Sequence, residues 1–163
     1  MEKGVLNNTE ALDIEILEFT AGGNSYGIYI TDIKEILKYN KIPTPIPNAH
    51  PFIEGMIMPR DFLITIVNFV KSLDLTEVDD YKNEMLVVTE INNLNVAFHV
   101  DLINGMHRMM ISDIMKPGKK LSTTQKDVIT GVIKIEDRKI ELVDLRRIMK
   151  HINPELNLIW LDD

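Results

Sequence analysis

The chain has 163 residues, 45% of them hydrophobic, with 25 acidic against 18 basic side chains for a net charge of -7. That length buries one sizeable core or two small ones sharing an interface, and the negative charge disfavours phosphate backbones and anionic lipid surfaces as partners. There is no cysteine, which excludes disulfides, thiolate metal sites and cysteine nucleophiles, and no stretch approaches the roughly 18 apolar residues of a membrane span; the expectation is a soluble, cytoplasmic protein.

Residues 1–13 read as an N-terminal tail. Beyond it the apolar residues recur with period two, in short runs bounded by turn residues, which predicts a mainly β fold. Leu17, Phe19 and Ala21 share one face of a first strand, "AGGNS" turns the chain, and Tyr26, Ile28 and Ile30 alternate along a second, so a hairpin is expected. Asp32 and Glu35 flank a stretch that reads equally as one helical turn or a continuing strand. Pro43, Pro45, Pro47 and Pro51 remove ladder donors and make "KIPTPIPNAHP" a stiff connector.

Two further runs, Phe52 to Met58 and Phe62 to Val67, meet at the corner Pro59-Arg60-Asp61, and Asn68 opens a short helix through Leu73. "DLTEVDDYKN" reads as an acidic linker. "EMLVVTEI" and "LNVAFHV" flank Asn92-Asn93, residues that tolerate positive φ, and predict a second hairpin. "HRMMI" is a strand candidate and "KPGKKLSTTQ" a loop. "VITGVIKI" and "RKIELV" meet at Glu136-Asp137, and a helix follows with Leu145, Ile148, Met149 and Ile152 on one face.

An internal echo runs through these segments. "YGIYITDI" aligns with "VAFHVDLI", and "IEGMIMPRDFLITIVNFV" with "ITGVIKIEDRKIELVDLR". Each half sends a glycine-bearing strand into a charged turn containing Arg60 or Arg138, then into an apolar strand and a helix. The architecture that follows is two small five-stranded β-barrels, with approximate spans 14–74 and 84–152, packed together with a few short helices.

Catalytic motifs do not survive their context. "GNSYG" matches the nucleophile elbow, but that motif needs a helix after the serine and here a period-two strand follows, so a hairpin loop explains Ser25. His50, His99, His107 and His151 lack metal-ligand spacing, and no phosphate loop precedes Lys119, because Asp113 stands where its first glycine belongs. The nine methionines, Met56, Met58, Met106, Met109 and Met110 among them, read as core filler or as an adaptable partner groove. The residues point to a binding module, not an enzyme, with no cofactor and no metal.

Read together, "YGI" at Tyr26 to Ile28, "IKEI" at Ile33 to Ile36, the "PFIEGMIMPRD" block and "ITGVIKIEDRKIELVDL" resemble the CheW family of bacterial chemotaxis coupling proteins over residues 14–152. "HPFIEG", the Pro-Arg corner, "VAFHVD", Lys116-Pro117 and "INPEL" are closer still to the coupling domain of CheV. The resemblance implies paired five-stranded SH3-like barrels that join a CheA-type histidine kinase regulatory domain to the cytoplasmic tip of methyl-accepting chemoreceptors at membrane receptor arrays. It implies partner contacts at Arg60, Glu35, Ile33 and Ile36, the kinase on the first barrel and the receptor in the groove between barrels. The alternative is a small-molecule or peptide-sensing module that uses the same groove.

Arg60 suits the role, since a guanidinium on a rigid turn presents a planar fork of donors; Arg138 reads as a structural turn residue. Asp61 stands where the family usually has glycine, so its carboxylate is expected either to tune Arg60 or to mask it by pairing. Residues 153–163, with Asn153, Pro154, Leu156, Ile159 and Trp160, read as a C-terminal helical extension or the start of a linker to the receiver domain that CheV-type proteins carry.

Overall fold

The structure is a computed structural model and describes residues 13–78, 84–118 and 123–155. The expected C-terminal helix with Leu156, Ile159 and Trp160, and part of the acidic linker, lie outside the described residues. Two tight turns set the pattern. Gly22 and Gly23 have φ of 57° and 82°, and Asn92 and Asn93 have φ of 52° and 65°, the paired positive values that a two-residue hairpin needs to match strand twist. They join β1 (Asp13–Ala21) to β2 (Asn24–Tyr29) and β6 (Met85–Ile91) to β7 (Leu94–Val100). Both expected hairpins are present.

After β2 the chain makes a 3-10 turn at Ile30–Asp32 and then enters β3 (Glu35–Lys38), so the ambiguous stretch is a turn followed by a strand. The corner at Arg60 lies between β4 (Ile53–Ile57) and β5 (Ile64–Asn68). Asn68 caps α1 (Phe69–Ser72), its side chain accepting from the Lys71 amide. β8 (Leu102–Met110) is much longer than "HRMMI", and Gly105 lies within it at φ 147°. The expected loop before β9 holds a helix, α2 (Thr123–Val128). β9 (Ile129–Ile135), β10 (Arg138–Val143) and α3 (Leu145–Ile152), capped by Asp144, complete the described fold.

The strands form two five-stranded sheets, ordered β8-β1-β2-β10-β9 (sheet A) and β3-β6-β7-β5-β4 (sheet B). This corrects the partition into consecutive barrels 14–74 and 84–152. Each hairpin pairs with the later strands of the other half: β1–β2 sits with β8, β9 and β10, and β6–β7 with β3, β4 and β5. The internal echo is therefore real as topology, since exchanging each strand for its counterpart in the other half turns one order into the other. A hydrophobic period specifies which face of a strand is buried but not which strand lies beside it. The halves meet through two parallel pairs, β2 with β10 and β5 with β7, and two antiparallel ones, β1 with β8 and β3 with β6, while every other named pair is antiparallel.

The shared core explains why the exchange is stable. A cluster of 19 buried residues, with Phe19, Tyr26, Phe69 and Phe98 at its heart, draws on both sheets; the clusters belonging to sheet B and sheet A alone hold five and four. The largest body of buried apolar surface, and hence most hydrophobic stabilisation, is therefore common to both sheets. Strands β1, β2, β6 and β7 are buried on both faces for this reason: Leu17 and Phe19 point into the shared core, Ile16 into sheet A's own. Phe69 packs edge-on against Phe19 at 5.0 Å and Tyr26 at 5.2 Å.

Matching bridges bring the edges of each sheet together. Thr44 exchanges backbone hydrogen bonds with Met56 beyond β3, and Met115 with Val132 beyond β8. A glycine makes each approach possible. Gly55 has φ 148° and the Thr44 carbonyl occupies the place a Cβ would take; at Gly131 a Cβ would lie 2.6 Å from Ile114 Cγ2. Gly105 has the same backbone angle but open space beside it, so G55A and G105A share conformational strain and differ in contact. Urea unfolding is expected to find G55A less stable than G105A by about 1–3 kcal/mol; equal losses would mean that the Thr44 bridge bends away without cost.

Candidate functional site

The corner Pro59-Arg60-Asp61 is built by the way sheet B begins. Ile33 closes the 3-10 turn by donating to the Ile30 carbonyl, Lys34 donates to Val88 at 2.7 Å, and β3 then pairs with β6 with Glu35 opposite Val88. This places Glu35 within reach of the β4–β5 loop, and its carboxylate accepts from the Arg60 guanidinium. Phe62 lies beneath: Arg60 Cζ is 5.4 Å and Lys34 Nζ 4.8 Å from its ring centroid, both within cation–π range. Lys34 also donates to Asn95 at 2.8 Å and pairs with Glu90 at 3.6 Å. Arg60 remains 55% exposed while held at one edge, so the rest of its donor fork faces solvent.

Asp61 does not mask Arg60. The carboxylate bound to Arg60 belongs to Glu35, and Asp61 is absent from the positive-φ residues among those described, so the turn does not demand glycine there. Of the expected contact residues, Glu35 and Arg60 are brought together and Asp61 adjoins them in an exposed position. Ile36 alternates to the opposite side of β3 and is 38% exposed. Ile33 lies apart, in a cavity of about 350 Å³ lined by Thr31–Lys34, the β6–β7 hairpin from Thr89 to Asn93, and Asp144–Arg146 at the start of α3.

That cavity is the groove between the sheets, because β6–β7 belongs to sheet B and the α3 start follows sheet A. Burial raises the Asp32 carboxyl above its ordinary range despite the nearby Arg146 guanidinium, and Asp144 adds to the rise. Lys34 lines this groove and also covers Phe62, so the groove and the Arg60 corner form one continuous strip. Sequence reasoning missed Lys34 and Phe62. The residue after "PRD" being aromatic was the available signal, but a lone phenylalanine at a strand entrance reads as core.

The remaining candidates have other duties. Ser25 sits on β2 and its hydroxyl bonds Glu18, with no helix following. Among the described residues no group of histidines and acids is arranged to hold a metal ion. Arg138 is structural, as its turn position implies, and its partner is unexpected: Glu18, 1% exposed inside sheet A, accepts from both Arg138 and His107, the latter at 2.7 Å. Burial alone would raise the Glu18 carboxyl, but the bonds from His107, Arg138 and Ser25 outweigh it and hold it below the ordinary 4.5.

The two arginines are therefore expected to separate in a stability measurement. R60A removes an exposed pair and is expected to cost at most about 1 kcal/mol in urea unfolding at pH 7. R138M strips a partner from a buried carboxylate and is expected to cost about 3 kcal/mol. The lowered Glu18 value contributes stability above 4.5 that is lost as pH falls through its folded value, so the R138M deficit is expected to shrink toward pH 3. Equal losses for the two variants at pH 7 would contradict this assignment.

With that geometry in place, comparisons with known proteins are decisive about the family. The profile described as CheW-like domain matches residues 15–153. The Thermotoga maritima chemotaxis protein CheW is 26% identical over 142 residues, covering 86% of this chain and 90% of that protein. The Bacillus subtilis chemotaxis protein CheW is 24% identical over 135 residues, 83% and 86% of the two chains. The crystal structure of the scaffolding protein TtCheW from Thermoanaerobacter tengcongensis superposes with a TM-score of 0.77 at 23% identity, over 91% of this chain and all of that one, which establishes the shared fold. This chain belongs to the CheW-like domain family.

Proposed function

We propose that this protein is a non-enzymatic adaptor that couples chemoreceptors to a CheA-type histidine kinase in bacterial chemotaxis signalling. Family membership over residues 15–153 gives the class. Arg60 carries the assignment of a site: a half-exposed guanidinium, positioned by Glu35 and Phe62, with donors still directed outward. The regulatory domain of the kinase is assigned to the sheet B edge with Arg60, Glu35 and Ile36, and the receptor tip to the groove at Ile33. Lys34 borders both surfaces. No described helix is long and apolar enough to cross a membrane, and attachment to receptor arrays at the membrane is assigned to these contacts.

The finer reading, that the chain is nearest the coupling domain of CheV, rests on "HPFIEG", "VAFHVD" and "INPEL". The second reading, a module sensing a small molecule or peptide, has one observation in its favour: the inter-sheet cavity of about 350 Å³ falls at the lower end of ligand-pocket sizes. A rise in unfolding temperature with attractant-class ligands in the absence of kinase and receptor would favour it.

Calorimetry against the kinase regulatory domain and against a receptor tip fragment tests the main reading. R60E is expected to weaken kinase-domain binding by about 1–3 kcal/mol, as loss of an arginine anchor does. D61A is expected to bind as the unaltered chain does, because Glu35 and not Asp61 holds Arg60. Unchanged affinity for a folded R60E protein removes Arg60 from the interface, and no binding of the unaltered chain to either partner overturns the adaptor reading.

A further inference from the structure

At the other end of the sheet B face that carries Glu35, four titratable side chains from four separate segments converge. His99 lies on β7; its Nδ1 is 2.5 Å from Glu54 Oε2 on β4, and its Nε2 is 2.8 Å from Glu84 Oε1, just before β6. The ring of Tyr39, which follows β3, stacks on the imidazole at 3.8 Å and 10°. The Tyr39 hydroxyl donates to Glu54 Oε1 at 2.6 Å, and its backbone amide donates to the Glu84 carbonyl at 3.1 Å.

A neutral imidazole carries one N–H and one lone pair. With a carboxylate against each ring nitrogen, neutrality would set a lone pair facing an anion at one of the two contacts. The arrangement is satisfied only by the doubly protonated ring. We propose that Tyr39, Glu54, Glu84 and His99 form a proton-dependent latch that fastens the connector from Tyr39 to Thr44 onto sheet B.

The surroundings favour the charged ring. Beside His99, a cavity of about 230 Å³ is lined by Asn68, Val70, Glu77, Val78, Glu84 and Asp101, with no lysine or arginine among these residues. Asp101, just beyond the end of β7, and Glu77 add negative charge, and the acids from β4 and from the segment before β6 touch the ring directly. Burial alone would lower the His99 value, but Glu54 and Glu84 outweigh it and raise it above the ordinary 6.5. Burial would likewise raise Glu54, yet His99 and Tyr39 hold it below 4.5.

The signs define a window. The His99 contribution is fully present below 6.5 and is lost as pH rises through its elevated folded value; the Glu54 contribution is present above 4.5 and is lost as pH falls through its lowered value. The latch is closed between these limits and opens on the alkaline side when His99 loses its proton.

Opening reaches a surface. The connector supplies Asn40 and Lys41 to a second cavity of about 350 Å³ whose other walls include Met58 and Pro59, immediately before Arg60. Its far end is the Thr44–Met56 bridge that joins the edges of sheet B. A freed Tyr39 therefore loosens the face beside Arg60, whatever partner that face takes.

Nuclear magnetic resonance on the full chain tests the latch without any partner, by His99 titration together with amide exchange corrected for its intrinsic pH dependence. His99 is expected to titrate above 6.5. Protection at the Tyr39, Thr44 and Met56 amides is expected to fall together across that titration, by up to about tenfold per pH unit for one linked proton. The Asp101 amide, which donates to Thr20 in the other sheet, is expected to hold its protection. H99Q is expected to lose the pH dependence and leave the connector poorly protected throughout. E84Q, which keeps the fold's backbone bonds to Glu84 and serves if H99Q fails to fold, is expected to lower the His99 titration and shift opening to lower pH. A His99 that titrates below 6.5, or connector amides that follow Asp101 at every pH, would overturn the proposal.

Discussion

Everything in this molecule depends on the packing of Phe19, Tyr26, Phe69 and Phe98 between two sheets that neither half of the chain can build alone. Each hairpin lends its second face to that shared cluster of 19 residues and completes its own sheet with strands from the other half. The private cores of sheets A and B, four and five buried residues, are too small to hold a stable domain by themselves. The two crossovers, Ile30–Lys34 and the step at Asp101, are therefore obligatory. Asp101 is tied accordingly, its amide to Thr20 and its carboxylate to the Gly22 amide. The proposed contact residues Ile33, Glu35 and Ile36 follow directly from the first crossover, which is why they stand at the boundary of the sheets.

The two halves use charge differently at related positions. Inside sheet A the position related to Val88 of sheet B is Glu18, and Arg138 and His107 reach in to neutralise it. Sheet B keeps that interior apolar with Ile64, Ile66, Leu86 and Val88, and its arginine stays on the rim with Glu35 and Phe62. Arg138 is thus committed to a buried carboxylate, while Arg60 retains donors for something outside. The same topology yields one sheet whose arginine is spent on a buried carboxylate and another whose arginine is left at the surface.

What could be read in the sequence was local. Asn92-Asn93, Asn68 before its helix, Asp144 before α3 and the Pro59 corner all act within a few residues, and each is found where its chemistry predicts. The repeated pattern of glycine strand, charged turn and helix was also legible, because it is written twice. The exchange of hairpins was not, since Tyr26 opposite Glu141 and Val67 opposite Phe98 leave no trace in a period-two pattern. For the same reason the partners of His99 could not be named from sequence: Glu54 lies 45 positions away and Tyr39 sixty, and nothing between them signals that they meet. Asp61 stands where the family usually has glycine, yet the backbone here asks for none, and Glu35, 25 positions before Arg60, takes the pairing expected of it.

The exchange of strands also governs how the chain can be assembled as it is synthesised. The first hairpin, complete by Tyr29, finds its parallel neighbour only when Glu141 and Leu142 have emerged, and sheet B cannot close until Leu94–Val100 follows Ile64–Asn68. Pairings of such sequence separation form late and slowly, because the loop entropy is lost before the contacts reward it. A nascent chain stopped near residue 80 would hold two apolar-faced hairpin and strand units without partners, the kind of surface that chaperones recognise. An architecture that makes two sheets interdependent in the finished protein makes the first hairpin wait for β10.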